Sequence, residues 1–507
     1  MQGKSDPNRV LLDAAALCRQ LVPDGSVEAF LADHRHRLFP DEAFADLFPS
    51  GRGRPSIPAD VIATAMVLQA LEGLSDREAA KALRDRISWK VACGLALDHE
   101  GFDYTVFTYW RTRLRQSERP QRISDAVREV IDATGVLAGR RRRALDSTIL
   151  DDAVATQDTV TQLISAVRRV RRLVPEAAQV QLAGHDYDSA AKPVIAWDDP
   201  VAKQALITAL VNDALALVHA LESLALDGEA ADAVGLLALV AGQDVEPGEE
   251  PGTWRIARRV APERTISTVD PEARHTRKSP SRPRDGYKAH LAVEPETGLV
   301  TDAALTGANV ADAEVAPELL EDEEEGVEVL GDSAYGSGRL RAELDRAGHS
   351  ATIKPVPSRP AVPGGFGRDD FVVDHEANTV TCPAGATVTF GLGLKASFGS
   401  HCASCPFRSR CTTSPRGRTV SLNLYDIELE AARRQAETEE FQRSYRRWRP
   451  MVERTIAWLV AAGNRRLRYR GVARNHQWLV TRTAALNLRR LVNLGLVHDG
   501  GWVLADG

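Results

Sequence analysis

Asp146, Asp332 and Glu453 are the residues of this 507-residue chain whose types and settings could do chemistry together. Each stands on a patterned stretch and not in a polar loop. Asp332 closes the apolar run Gly326-Val327-Glu328-Val329-Leu330-Gly331 and is followed by Ser333-Ala334-Tyr335-Gly336. That pattern predicts a buried strand ending on an acid at the rim of a sheet, where α/β folds place ligands. A plain cap on the following turn is the alternative for a lone aspartate. Asp146 lies in Ala144-Leu145-Asp146-Ser147-Thr148-Ile149-Leu150, too short for a helix and rich in strand formers. Glu453 follows Pro450, with Ile456, Leu459 and Val460 as an apolar side beneath it. Carboxylates gathered at one sheet edge repel one another, so such a site needs a cation at neutral pH. Oxygen-only donors suit Mg²⁺ or Mn²⁺. Two such ions ~4 Å apart activate a nucleophile and stabilise the leaving oxygen in phosphoryl transfer. Asp146, Asp332 and Glu453 are thus the candidate catalytic and metal-holding residues.

The totals bound what surrounds them. The length allows two to four domains, and 43% hydrophobic with 26% charged residues is ordinary for a soluble globular protein. The net charge of −6 excludes a basic nucleic-acid binder by overall composition, though local charge is strongly asymmetric. No run approaches the ~18 apolar residues of a membrane helix, and the polar stretch Met1 to Pro7 is no signal-peptide core. The expectation is a cytoplasmic protein without a disulfide scaffold.

Residues 8–140 are expected to be helical, with helices over Val10–Leu21, Val27–Leu38, Pro58–Leu71 and Asp76–Arg86. Gly73-Leu74 turns between the last two, and Ser75-Asp76-Arg77-Glu78 is a capping box. Helix, glycine turn, helix sketches a helix-turn-helix, and an ordinary helical hairpin has the same spacing. Arginine gathers at positions 111, 113, 115, 119 and 122 and again at Arg140-Arg141-Arg142-Arg143. Such clusters attract phosphate, or form a solvated helix face.

Beyond the Asp146 strand, residues 153–252 resemble a helical insertion, with helices over Val160–Leu173, Val201–Leu226 and Ala230–Val240 and a linker from Gln243 to Gly252. Tyr287–Val293 and Leu299–Leu305 form a β-hairpin, followed by a helix over Asp312–Glu323, the Asp332 strand, a helix over Arg339–Gly348 and a strand over Ala351–Lys354. The acidic run Glu321 to Glu325 is most simply a solvated helix end. This order resembles a ribonuclease-H-like core.

Residues 357–426 hold Cys382, Cys402, Cys405 and Cys411 in a Pro-, Gly- and Thr-rich, β-prone setting. Cys402-Ala403-Ser404-Cys405 has the spacing of a zinc knuckle, so a structural Zn²⁺ on the four thiols stands beside free thiols packed in a small insertion. From Arg433 to Arg490 there are fifteen Arg, no Lys and four Glu, a segment of about +11 that reads as a polyanion surface. In Tyr445-Arg446-Arg447-Trp448-Arg449-Pro450-Met451-Val452-Glu453, the spacing puts Tyr445, Arg449 and Glu453 on one helical face, unless Pro450 breaks the helix.

The chain resembles bacterial insertion-sequence transposases of the DDE type. The likeness rests on Asp146 in Ala-Leu-Asp-Ser-Thr, on Gly331-Asp332-Ser333-Ala334-Tyr335, on Tyr445, Arg449 and Glu453, on Asp285-Gly286-Tyr287-Lys288-Ala289-His290, and on Pro58–Gly94. It implies an α/β fold: a ribonuclease-H-like mixed sheet flanked by helices (141–152 and 253–356), an N-terminal all-α DNA-binding domain (1–140), the helical insertion (153–252), the Cys-containing β-rich insertion (357–426) and C-terminal Arg-rich helices (427–496). It further implies two Mg²⁺ (or Mn²⁺) ions on Asp146, Asp332 and Glu453, cleavage at transposon ends and strand transfer into target DNA. Double-stranded DNA (terminal inverted repeats and target) would be the partner, met by Arg449, Arg446, Arg447, Lys288, Arg141 and Arg142. A homodimer at the bacterial nucleoid would be the active form. Lys288, His290 and Tyr335 either line the site or are packing or strand-surface residues. The chain departs from a related transposase group in one residue of extra spacing between Tyr445 and Arg449, and in Val460 where that group has Lys. A hairpin intermediate at the DNA end is therefore left open.

Two other readings share parts of this pattern: a non-transposing nuclease on the same core, and a DNA-binding protein with a dead catalytic domain. The presence of all three carboxylates argues against the second. A paired-carboxylate glycosidase fits poorly with the arginine excess and an aromatic content of 6%.

Overall fold

The computed structural model describes residues 1–5, 12–259, 261–279 and 282–505, so Val10 and Leu11 of the first expected helix lie outside it. The N-terminal third is helical. Helix α1 (Ala59–Glu72) is apolar on every side and is buried along its length except at its last turn. Gly73 ends it in the left-handed conformation and lies against the carbonyl of Ala462, where any side chain would collide. Helix α2 (Asp76–Asp85) then starts from the capping box, with Ser75 and Glu78 exchanging bonds with each other's backbone.

Three arginines of this region act inside the fold. Arg111 pairs with Asp76, Arg122 forks onto Asp46, and Arg113 donates to the Leu47 carbonyl at 2.5 Å. Neither a phosphate-attracting cluster nor a solvated face describes these three. Guanidinium groups taken out of water need carboxylate or carbonyl partners, and these have them.

The central sheet is built from β1 (Arg142–Asp151), β2 (Arg274–Ser279), β3 (Arg282–Glu294), β4 (Leu299–Gly307), β5 (Glu328–Gly331) and β6 (Ser350–Ile353). Its order is β4-β3-β1-β5-β6, with β2 paired to the start of β3. β3 runs antiparallel to β1 and β4, while β5 is parallel to β1 and β6 parallel to β5. The fold is thus mixed α/β. Gly286, at φ +141°, lies so close to β1 that an added Cβ would meet the Leu150 carbonyl, which explains the glycine in Asp285-Gly286-Tyr287.

Between β1 and β2 sits a bundle of α3 (Thr159–Leu173), α4 (Pro200–Leu221) and α5 (Gly228–Gln243) with its own apolar core. Contrary to the expectation from apolar runs, α4 has the length and a mean hydropathy of 1.5 that suffice for a membrane span, although Leu206, Leu210, Ala214 and Leu217 are buried in the bundle. The expected linker over 243–252 also carries part of a small hairpin, Val245–Pro247 with Trp254–Ile256. The helix expected over Asp312–Glu323 is only Asp312–Val315 and a following 3-10 turn. The acidic run after it is no simple solvated end: Glu323 is largely buried against Arg143, and the Glu325 carbonyl accepts from Arg141.

Two long helices close the fold. α6 (Glu439–Val460) lies across β1, β3 and β5, and α7 (Val472–Asn493) packs on β4 and α1. α6 runs unbroken through Pro450, because Phe441 before it and Val452, Thr455 and Leu459 after it are anchored in the interior. Asn487 of α7 exchanges two 2.8 Å hydrogen bonds with the backbone of Val300, fixing the helix to β4. Much of the arginine in this region caps carbonyls. Arg482, 1% exposed, donates to those of Leu459, Ala70, Leu71 and Trp458.

Candidate active site

The parallel register of β1 and β5 pairs Arg142 with Glu328, Arg143 with Val329 and Ala144 with Leu330, an offset of 186 residues. Asp332 lies 186 residues beyond Asp146, so the first residue after β5 falls beside Asp146. The Asp146 carboxylate accepts from the Ser147 N–H at 2.9 Å, and that of Asp332 from the Ala334 N–H at 2.8 Å. Asp332 therefore does cap a turn, and the same geometry holds its carboxylate at the strand end.

α6 brings the third acid. Because the helix continues through Pro450, Tyr445, Arg449 and Glu453 share a face turned to the sheet edge. Arg449 Nη2 lies 3.1 Å from Asp146 Oδ1, and its Nη1 lies 3.7 Å from Glu453 Oε1. One buried guanidinium thus joins the strand-borne acid to the helix-borne one. Burial pushes the Asp146 carboxyl above its usual range, and the charge of Asp332 adds to this against the pull of Arg449. Burial works against charge on Arg449 as well, but Asp146, Tyr445 and Asp332 outweigh it and raise its basicity. Tyr445 is pushed up by burial, within the fields of Arg449, Asp332, Glu453 and Asp146.

Glu328, on β5, fixes α6 to the sheet. It accepts from Ser444 Oγ at 2.6 Å, Thr352 Oγ1 at 2.8 Å and Arg142 Nε at 2.8 Å. Sequence reasoning missed Glu328, which lies in the strand motif but carries no catalytic spacing. It missed Lys354 too, whose ammonium sits 4.6 Å from the Tyr445 ring centre at the end of β6.

The other expected site residues divide. Arg446 and Arg447 are exposed on α6, Arg447 resting on Trp448. Arg449, expected among the DNA contacts, is instead buried in the carboxylate cluster. Arg142 is taken up by Glu296, Glu328 and the Trp448 ring, and Arg141 by the Glu325 carbonyl. Lys288 is turned inward to Asp312 at 3.0 Å and the Val310 carbonyl at 2.6 Å. His290, fully buried beside that pair, contacts Thr306 Oγ1 at 2.9 Å and is pushed by burial down to about 4. The buried Tyr335 hydroxyl, in the field of Asp312, Asp146 and Asp332, has no hydrogen-bond partner among the described residues.

The donor set at Asp146, Asp332 and Glu453 is all oxygen, with a buried acid whose charge is costly, which fits a hard divalent cation. Among the described residues, the compact group whose ligand atoms lie within 4.8 Å of one another is a different one: His375, Asp426 and Glu430. There Arg368 already pairs with Asp426. Cys382, Cys402, Cys405 and Cys411 are free thiols that line one cavity of about 210 Å³. Burial pushes the Cys411 thiol up, and the other three thiols add to that effect while Arg418 opposes it.

Two family models match this chain. One, described as Transposase domain (DUF772), covers residues 18–113; the other, Transposase DDE domain, covers residues 381–492. These two matches support an insertion-sequence transposase of the DDE type. The first match spans α1 and α2; the second spans all four clustered cysteines together with Tyr445, Arg449 and Glu453 on α6. Asp146 and Asp332 lie outside both. No curated protein and no solved structure matches the transposase. The matched transposase domains imply a DNA substrate and use of a divalent metal.

Proposed function

We propose that this transposase cuts DNA at the ends of its element and joins them to target DNA at the Asp146–Asp332–Glu453 site. The observation that carries this reading is the convergence of Asp146 and Asp332 on register-neighbours β1 and β5, with α6 delivering Glu453 through the shared Arg449. Asp146, Asp332 and Glu453 would hold the metal ions, Mg²⁺ or Mn²⁺. Bound there, two ions would activate the attacking oxygen and neutralise charge on the leaving one. Arg449 balances Asp146 and Glu453 and orients both. Water attacks the phosphodiester at the element end and releases a 3′-hydroxyl; that hydroxyl then displaces a 3′-oxygen in the target strand.

The strand order β4-β3-β1-β5-β6, with β3 antiparallel to β4 and β1 and with β1-β5 and β5-β6 parallel, supports a ribonuclease-H-like core over 141–152 and 253–356. Residues 1–140, with the α1–α2 pair, would bind the terminal inverted repeats, and Arg446 and Arg447 would meet the phosphate backbone at the site. The four cysteines would hold a structural Zn²⁺ in the 357–426 insertion, since four thiols around one cavity match its ligand set. A homodimer in the cytoplasm, bound to the nucleoid, completes the reading.

The test is Asp332→Asn, with cleavage and binding measured on duplexes carrying the DNA that borders the coding sequence in its genome. Divalent-metal-dependent cleavage should be lost while duplex affinity stays within about twofold. Cleavage at the wild-type rate would sink the assignment. Hydrolysis without any joined product would favour the non-transposing nuclease.

A further inference from the structure

A cleft of about 820 Å³ opens between the α3–α5 bundle and the main body. Arg168, Arg169 and Arg172 of α3, Lys192 of the loop before α4, and Arg470 at the entry to α7 all line it. The acids on its wall are Asp158 and Glu229, and Asp158 is occupied in capping α3 by accepting the Thr161 N–H at 2.8 Å. Elsewhere in this chain many arginines are spent on carboxylates and carbonyls. Here Arg169, Arg172, Lys192 and Arg470 have no hydrogen-bond or ion-pair partner among the described residues, and all but the half-buried Arg169 are exposed. Arg168 is used differently. It donates to the carbonyls of Tyr187 and Ser189 and so holds the loop that carries Lys192 over the cleft.

Five cations against two acids leave the cleft with an excess of positive charge, an arrangement that suits a polyanion. The size and spread choose among anions. Arg168 to Arg172 covers about 6 Å of helix, and Lys192 and Arg470 come from two other segments, so the cations of this cleft of about 820 Å³ are supplied by three stretches of chain, more than a single phosphate needs. Trp197, 41% exposed, lines the same cleft and adds a flat ring beside them. The place is also suitable. Beyond Asp146, β1 continues five residues to Asp151, ~17 Å of strand, before the chain turns towards α3. None of Asp146, Asp332 and Glu453 lines the cleft, so it is a separate feature from the carboxylate site.

We propose that this cleft binds the phosphate backbone of DNA running away from the cleavage site, making the helical insertion a DNA clamp. This rests on the transposase reading and assigns the insertion its part in it. The test uses the full chain with Arg169→Ala, Arg172→Ala and Lys192→Ala combined. Fluorescence anisotropy with a labelled random-sequence duplex of about 40 base pairs, across a salt series, reads the number of phosphate contacts. Removing three contacts should weaken binding at least tenfold at 0.1 M salt and lower the log–log salt slope by about 2 to 3. An unchanged slope in a variant that melts at the wild-type temperature overturns the clamp. A second variant, Arg172→Glu, must weaken binding further than Arg172→Ala; equal affinity of the two also overturns it. The two readings fail differently. A wild-type chain that binds no duplex defeats the transposase function itself, whereas wild-type binding and cleavage with an unaffected triple variant defeats the clamp alone.

Discussion

His290 illustrates how a residue can sit in a functional motif and serve packing. Its ring is fully buried, with Thr306, Asp312 and Lys288 around it. Lys288 already satisfies the negative charge of Asp312, so protonating the ring would bury a second cation. The folded chain keeps His290 neutral down to about pH 4, whereas the unfolded chain protonates it near its ordinary value of 6.5. Its contribution to stability is therefore complete above 6.5 and is lost as pH falls from there towards 4. His290→Asn, which keeps a donor but cannot titrate, should flatten that acid limb. Denaturant midpoints at several pH values across the window check it, and a wild-type slope retained in the variant would rule His290 out as the source.

At the scale of elements, the site depends on three placements: β1 beside β5, β3 against β1, and α6 across both. The β1–β3 contact is tightest at Gly286, where the backbone has φ +141° and no room for a Cβ. Gly286→Ala should cost upwards of 1 kcal/mol, from backbone strain and from parting the strands. It should also lower cleavage more than stability alone predicts, because β1 carries Asp146. Thermal melts beside cleavage rates at a temperature where both proteins are folded separate the two effects. A melt within 1 °C of wild type would contradict the steric reading. Across the β5–α6 contact, Glu328 joins strand to helix with three hydrogen bonds that no periodicity in the chain announces.

For the whole molecule, the arginine excess is divided between two uses. One set, Arg482, Arg122, Arg143 and Arg449 among them, is buried and holds segments together. The other set is mostly exposed, as at Arg446, Arg447 and the insertion cleft. The cysteine insertion is a separate matter. If its four thiols hold zinc, purified protein should contain about one zinc per chain, and Cys402→Ser with Cys405→Ser should lose it. Elemental analysis of both proteins tests this. Absence of zinc from wild type purified without chelator would return the cysteines to simple packing.

Local elements follow from the chain's own letters: the capped helix from Ser75, the hairpin around Gly298, the strand bearing Asp146 and the one ending just before Asp332, and the acids themselves. These follow from patterns of two to four residues, and short-range physics settles them. The sequence also carried the family likeness, because that rests on residue types at set places in the chain. Only the tertiary structure decided which charges meet. Arg449 and Glu453 are one helical turn apart, yet the bond from Arg449 to Asp146 spans some 300 residues of chain. Pro450 argued for a broken helix, and the packing of α6 on the sheet overrode that preference. Arg142 and Arg172 are alike as letters. One is paired with Glu328 and the other faces an open cleft, because burial and partnership belong to the assembled surfaces and not to the residue.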